Sequence, residues 1–357
     1  MQMLIIRHMF TIIFSFLLTF YIIPLLIRSA CQLDFLDQPD GKIKVHKKPI
    51  PYLGGFAVYC GFIAPLCVAY PFVNKALWLL LGVTFLLFLG LIDDLKAFRP
   101  GQKFFGQIFA VLCFLKGGFS LKTDFFSSGT NLFLSALWML SVINAFNLVD
   151  VMDGLTSTIA FVAASTFFII ALLLGQYEVS LLLIAFMGAI LAFFWYNKPA
   201  AKMYLGDSGS MFIGGFLSAL PLLLEWSDWS WDAYYAPAII LGIPLLEVFF
   251  LVVIRTRLGI PFYKGSPHHF SIYLQNKGWS KYKVLGFVGM MGSILSGLAL
   301  LFLFQAISFW MLVVAGIIFF SVWCFFIFSF GKQKNEETVF VSSEVFDSVG
   351  MSAKGKE

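Results

Sequence analysis

Residues 76–95 read ALWLLLGVTFLLFLGLIDDL, an uncharged apolar run that ends on two adjacent aspartates, Asp93 and Asp94. Such a run approaches the ~20 residues an α-helix needs to cross the ~30 Å hydrocarbon layer of a bilayer. Inside lipid each backbone N–H and C=O must find its partner within the segment, so the run is a helix, and the carboxylates mark its return to water. The same punctuation recurs along the chain. Windows of about 20 apolar residues fall at 9–28, 50–70, 76–92, 103–118, 131–149, 155–174, 180–196, 203–224, 235–254, 284–306 and 308–329. They predict an all-α polytopic integral membrane protein of about eleven transmembrane helices. Composition agrees, because 60% hydrophobic and 12% charged residues, at a mean hydropathy of +0.90, leave too little polarity to clothe a soluble globule. Residues 1–330 are expected to form one transmembrane catalytic domain, and the Ser-, Lys- and Glu-rich residues 331–357 a disordered cytoplasmic tail.

Lysines and arginines orient the bundle. With the N-terminus outside and sides alternating at every span, 20 of the 24 basic residues fall inside, leaving Arg7, Lys75, Lys116 and Lys122 outside. The positive-inside rule therefore predicts N-out and C-in, which an odd number of spans requires. The first span is long and has a basic flank with no small-residue cleavage site, so it is expected to be a retained helix. Cys31, Cys60, Cys67, Cys113 and Cys324 form no C-x-x-C pair and are expected to pack as thiols. The net charge of +5 follows from the inside bias, and no nucleic-acid-binding pattern accompanies it.

Five inward segments carry polar chemistry. In the first, Lys47 lies in a basic loop that leads into Pro49-Ile-Pro-Tyr-Leu-Gly54-Gly55, where prolines and glycines predict a close backbone approach, suited to a phosphate-bearing ligand. The second is Asp93-Asp94. These acids stand at a helix C-terminus, where the macrodipole disfavours negative charge, and adjacent carboxylates repel unless a cation is near; Mg²⁺ or a protonatable role resolves both conflicts, and pairing with Lys96 and Arg99 is the structural alternative. In the third, Asn144, Asn147, Asp150 and Asp153 recur every three residues, which on a continuous helix makes a polar stripe with no base nearby. The fourth, Gly206-Asp207-Ser-Gly, opens a span and reads equally well as ordinary helix capping. The fifth is the long loop 255–283 with His268-His269, which lacks zinc spacing and suits phosphate contact or loop packing.

In order and spacing, these segments resemble the polyprenyl-phosphate N-acetylhexosamine-1-phosphate transferases, from about Asp37 to Lys283. That family includes translocase I, the phospho-N-acetylmuramoyl-pentapeptide transferase, and the UDP-N-acetylglucosamine:undecaprenyl-phosphate transferases. The resemblance implies transfer of a sugar 1-phosphate from a UDP-sugar to a polyprenyl phosphate, releasing UMP, with Mg²⁺ required and Mn²⁺ as its alternative. It implies catalytic roles for Asp93, Asp94, Asp150, Asp153, His268 and His269, substrate binding by Lys47, Asn144, Asn147 and Gly206, and metal binding by Asp207 and Asp94. It implies a bacterial inner (cytoplasmic) membrane, with the site facing the cytoplasm and a second copy of the chain as a candidate partner.

Departures bear on the donor. Val151 replaces a glycine, and Pro267 stands where translocase I has a histidine. The Pro49-Ile-Pro-Tyr-Leu-Gly-Gly segment is similar to the N-acetylglucosamine branch, whereas Glu247 is closer to translocase I. UDP-N-acetylglucosamine is the expected donor; the pentapeptide donor and other UDP-N-acetylhexosamines are the alternatives. A secondary transporter is the competing class, but transporters set their ionisable groups near the midplane, and here Glu247 is nearly alone in mid-span.

Overall fold

Each apolar window becomes a helix in the computed structural model, which describes residues 2–37, 49–71, 74–224, 226, 231–259, 261 and 266–328. The helices are α1 (Gln2–Gln32), α2 (Gly54–Ala69), α3 (Asn74–Leu95), α4 (Pro100–Lys116), α5 (Ser128–Val149), α6 (Leu155–Leu173), α7 (Tyr177–Asn197), α8 (Gly206–Ala219), α9 (Ala236–Ile240), α10 (Gly242–Arg257), α11 (Phe270–Asn276), α12 (Lys281–Leu303) and α13 (Phe309–Phe328). Six of them, α1, α3, α5, α6, α7 and α12, are long and apolar enough to cross a membrane. The ninth window is a helix pair, α9 and α10, bent by 67°. The protein is thus an all-α polytopic membrane protein. The 255–283 segment, expected as a loop, contains the short helix α11. Lys47 and the tail 331–357 lie outside the described residues.

At the centre is α8, buried at every position from Ser208 to Ala219 and packed against α2, α3 and α5. Lipid tails are as apolar as leucine, so membrane helices associate through close packing, which small residues permit. A Cβ on Gly55 would lie 2.2 Å from the Gly209 nitrogen, and one on Gly90 would lie 2.4 Å from Ser208 Cα. Gly55 of α2 and Gly90 of α3 therefore let two backbones reach the start of α8. Deeper in the bundle, Phe62, Phe186, Phe212 and Phe216 interlock, with Phe186 stacked on Phe216 at a centroid distance of 4.6 Å. Large apolar side chains such as Ile13, Leu25, Leu81, Phe88 and Ile317 face outward, where lipid would meet them. All five cysteines are free thiols, as expected.

The Gly54-Gly55 segment corrects an expectation. Its close approach is to the chain itself: Gly54 and Gly55 N–H donate to the Tyr204 and Leu205 carbonyls at 3.0 and 2.8 Å. Just before it, β2 (Ile50–Pro51) pairs antiparallel with β1 (Leu36–Asp37), and the Pro51 carbonyl accepts from Tyr204 N–H at 2.8 Å. The segment is a brace that fixes where α8 begins.

The polar motifs gather at one end of the bundle, where α3, α5 and α7 end and α4, α6, α8 and α12 begin. At the other end Arg7 bonds to the Ala69 carbonyl, His8 to Ser180, and Tyr234 to the Lys122 carbonyl.

Candidate active site

The centre of the motif end is the start of α8. Gly206 has a left-handed φ of +77°, and a Cβ there would sit 2.7 Å from Asp94 Oδ2, so glycine is required on both counts. The first turn of a helix leaves N–H groups without partners. Here they are satisfied from another helix, since Asp207 N–H and Ser208 N–H donate to Asp94 Oδ1 and Oδ2 at 2.8 and 3.1 Å. Asp94 thus caps α8 from the end of α3. The unfavourable position of a carboxylate at one helix C-terminus is offset by the positive end of a second helix. Asp207 does not cap its own helix; it points its carboxylate away from that turn.

Asp207 meets Lys103 and Asn147. Lys103 Nζ lies 2.6 Å from Asp207 Oδ2, 2.9 Å from Asp93 Oδ2 and 3.2 Å from Asn147 Oδ1. Asn147 Nδ2 donates to Asp207 Oδ1 at 2.7 Å and to Ser210 Oγ at 2.9 Å. Asp93 Oδ1 accepts from Phe98 N–H at 2.6 Å, which folds the α3–α4 connection back over the site. Lys96 and Arg99, the partners of the structural alternative, are exposed, and Lys103 pairs with the aspartates instead.

The arrangement accommodates a cation. Three hard oxygens, from Asp207, Asp93 and Asn147, converge on one positive atom, and an all-oxygen donor set of this kind suits Mg²⁺. Asp94, expected as a metal ligand, has both oxygens on backbone amides. Among the described residues no group of three His, Cys, Asp or Glu side chains forms a metal array.

The expected polar stripe breaks at its third member. Helix α5 ends at Val149, Asp150 adopts φ −77° and ψ 60°, and Gly154 at φ +76° turns the chain into α6. Asp150 and Asp153 therefore occupy a turn, because two helices that reverse direction need non-helical residues between them. Asp150 Oδ1 accepts from Thr156 Oγ1 at 2.9 Å. Burial pushes its carboxyl up to about 7; the Thr156 bond opposes the rise, and the charges of Asp207 and Asp153 add to it. Buried Asp153 pairs with Lys281 Nζ at 2.8 Å and accepts weakly from Ala201 N–H at 3.4 Å, tying the start of α12 and the α7–α8 connection to the turn. Asn144 is committed elsewhere. Its Nδ2 donates to Gln107 Oε1 at 2.8 Å and to the Leu140 carbonyl at 2.8 Å, while its Oδ1 accepts from Gln107 Nε2 at 3.3 Å. That amide pair locks α4 to α5 one turn inward from Lys103.

Asp93, Asp94, Asn147, Gly206 and Asp207 thus come together. Asp150 is close enough to Asp207 to feel its charge, and Asn144 and Asp153 support the frame. The histidines belong to α10 and α11: His269 Nδ1 lies 2.9 Å from buried Glu247 Oε1. Burial, with the Arg255 and His269 charges adding, holds His268 below the usual imidazole range, so it is neutral at pH 7. Sequence reasoning missed Lys103, Gln107 and Lys281 as site residues. A signal existed for the first two, since Lys103 and Gln107 are four residues apart on one face of a largely apolar helix. Nothing local marked Lys281.

Residues 76–225 match the sequence profile of glycosyl transferase family 4. Over 261 residues the chain is 31% identical to the probable undecaprenyl-phosphate N-acetylglucosaminyl 1-phosphate transferase of Bacillus subtilis (strain 168), a stretch covering 70% of this chain and 72% of that one. The chain belongs to glycosyl transferase family 4. It is also 30% identical over 321 residues to the phospho-N-acetylmuramoyl-pentapeptide-transferase of Limosilactobacillus fermentum (82% of this chain, 97% of the relative). The enzyme of that name from Streptococcus pneumoniae serotype 19F is 30% identical over 333 residues, again 82% and 97%. Membership in family 4 sets aside the transporter class. The family-matched stretch contains the whole Asp93–Lys103–Asn147–Asp207 cluster and ends before Glu247 and His269.

Proposed function

We propose that this chain transfers N-acetylglucosamine 1-phosphate from UDP-N-acetylglucosamine to undecaprenyl phosphate, releasing UMP, as a first membrane step of bacterial cell-envelope glycan synthesis. The observation that carries this reading is the convergence of Asp93, Asn147, Lys103 and Asp207 at the helix ends, in a chain similar to a relative named for that activity. An oxygen of the lipid phosphate bonds to the sugar-bearing phosphorus. The bond from that phosphorus to the bridging oxygen breaks, and its electron pair leaves with UMP. A phosphate monoester has a second pKa near ~6, so the acceptor is largely dianionic at neutral pH and already nucleophilic.

What remains for the protein is positioning and charge. Asp207, Asn147 and Asp93 would hold Mg²⁺, or Mn²⁺ with the same donors, and the ion would supply positive charge to the diphosphate. Without the ion, Lys103 Nζ neutralises the same oxygens. Asp94 keeps Asp207 in place through the α8 amides, and Gly206 admits the close approach this needs. Asp93, Asp94 and Asp207 are each engaged by a lysine, an amide or both, which favours direct attack by the lipid phosphate over an aspartyl-phosphate. Purified protein in detergent should release UMP from UDP-N-acetylglucosamine only when undecaprenyl phosphate and Mg²⁺ are both present; release without the lipid would refute the transfer.

The helices are read as eleven crossings, N-out and C-in, in the inner membrane, with α9–α10 as a broken crossing and the motif end in the cytoplasm. The basic residues support this, because Lys202 and Lys281 lie at the motif end and Lys122 at the other. A cysteine label at exposed Lys202 should be protected from impermeant reagent in intact cells, and one at exposed Lys122 should react. A second reading has one observation in its favour: the pentapeptide transferases align over nearly their whole length. The ratio of kcat/KM for the two donors decides between them.

A further inference from the structure

Glu247 is an acid that the cluster around Asp207 does not use. It lies on α10, only 1% exposed, and a buried carboxylate without a partner costs several kcal/mol, about 3–5 when one member of a buried pair is removed. Its partner is His269, whose Nδ1 is 2.9 Å from Glu247 Oε1, and the same oxygen accepts from Phe270 N–H, the start of α11, at 3.4 Å. A carboxylate can only accept, so Nδ1 carries the hydrogen. That leaves Nε2 as the outward nitrogen, and it has no hydrogen-bond partner among the described residues. Eight residues further along α10, and so on the same face, Arg255 donates from Nε to Ser266 Oγ at 2.9 Å. Two buried charged side chains of one helix thus hold both ends of the stretch 266–270. Helix α10 in turn packs on α5, which carries Asn147.

We propose that Glu247 is a positioning residue: it holds His269 with Nδ1–H turned inward, so that in the imidazolium form Nε2–H donates to a phosphate oxygen of the nucleotide-sugar donor. What Nε2 meets rests on the transferase reading; the orientation of the ring does not. A carboxylate behind an imidazole fixes both ring rotation and tautomer, and loss of such a partner at ligating histidines typically costs about 10- to 100-fold.

The test combines kinetics with ¹⁵N NMR of histidine-labelled protein in detergent, the His269 signals being identified by their loss in His269→Gln. In the unmodified protein, His269 should be protonated at Nδ1, and Glu247→Gln should change that pattern, since an amide can also donate to Nδ1. Glu247→Gln should lower kcat/KM for UDP-N-acetylglucosamine by about 10- to 100-fold with KM for undecaprenyl phosphate unchanged. Glu247→Asp, which keeps the carboxylate, should recover part of the loss and serves if the glutamine variant does not fold. A neutral Nε2–H form in the unmodified protein would overturn the proposal, as would an activity loss in Glu247→Gln with the His269 pattern unmoved. The expected His269 pattern in a protein that releases no UMP would uphold the orienting role while defeating the transferase reading.

Discussion

Two pairs of acids stand at helix C-terminal ends in this protein, and they are held in different ways. Asp93 and Asp94 end α3, and Asp150 and Asp153 follow α5. The first pair is met by the N-terminus of α8 and by Lys103; the second by a hydroxyl, a turn and Lys281, whose side chain is 43% exposed against 17% for Lys103. Similar local chemistry therefore yields a charge-dense centre in one place and a supporting rim in the other. Which outcome arises depends on the helix that arrives opposite the acids.

The largest effect expected from breaking this contrast is at Asp207. Asp207→Ala should lower turnover by on the order of 10³-fold or more, with folding intact by gel filtration in detergent, because charge at the reacting diphosphate is lost without opening a core cavity. Near-normal Mg²⁺-dependent activity would remove Asp207 from the centre.

Lys103→Met leaves Asp93 and Asp207, whose side chains are 8% and 37% exposed, facing each other without a cation, and should cost more than about 1 kcal/mol in denaturant unfolding without metal. Added Mg²⁺ should restore part of that loss if the same oxygens hold it. Lys281→Met, which removes a partly exposed partner, should cost no more than about 1 kcal/mol. Equal losses in the two variants would erase the distinction between centre and rim.

Asp94→Ala should destabilise the protein by about 0.5–2 kcal/mol through the lost α8 cap, and Asp94→Asn should recover only part of that loss, since its amide keeps one accepting oxygen for the two N–H groups. A variant series with the asparagine form as unstable as the alanine form would deny the capping role.

The last effect is a pH dependence at the rim. The Asp150 carboxyl rises from 3.8 to about 7 on folding, so the folded chain binds the proton more tightly than the unfolded one. The stabilisation is therefore fully present at low pH and is lost as pH rises through that window. Thermal unfolding without metal should show a Tm that falls across it, and Asp150→Asn should flatten the fall.

Much of the architecture was legible from residue order. Every apolar window corresponds to a helix, and the acids of Asp93-Asp94 stood out because a helix C-terminus is the wrong place for negative charge unless something answers it. The stripe from Asn144 to Asp153 was legible only as far as Asn147, because periodicity cannot report that α5 stops at Val149 and Gly154 turns the chain. The Gly54-Gly55 segment was correctly read as a close approach, but its partner, the Tyr204–Gly209 backbone, lies about 150 residues on, beyond the reach of any local pattern.

By itself, the sequence determined the membrane class, the number and order of apolar windows, the basic asymmetry and the ends at which polar groups must surface, since each depends on hydrophobic length and local charge. Only the tertiary structure decided that Asp94 caps α8, that Lys103 gathers Asp93, Asn147 and Asp207, that Asn144 braces Gln107, and that Glu247 holds His269. These partnerships cross from helix to helix, and a side chain's partner in the membrane is chosen by which backbones can approach closely enough. Here the glycines of α2, α3 and α8 set that distance.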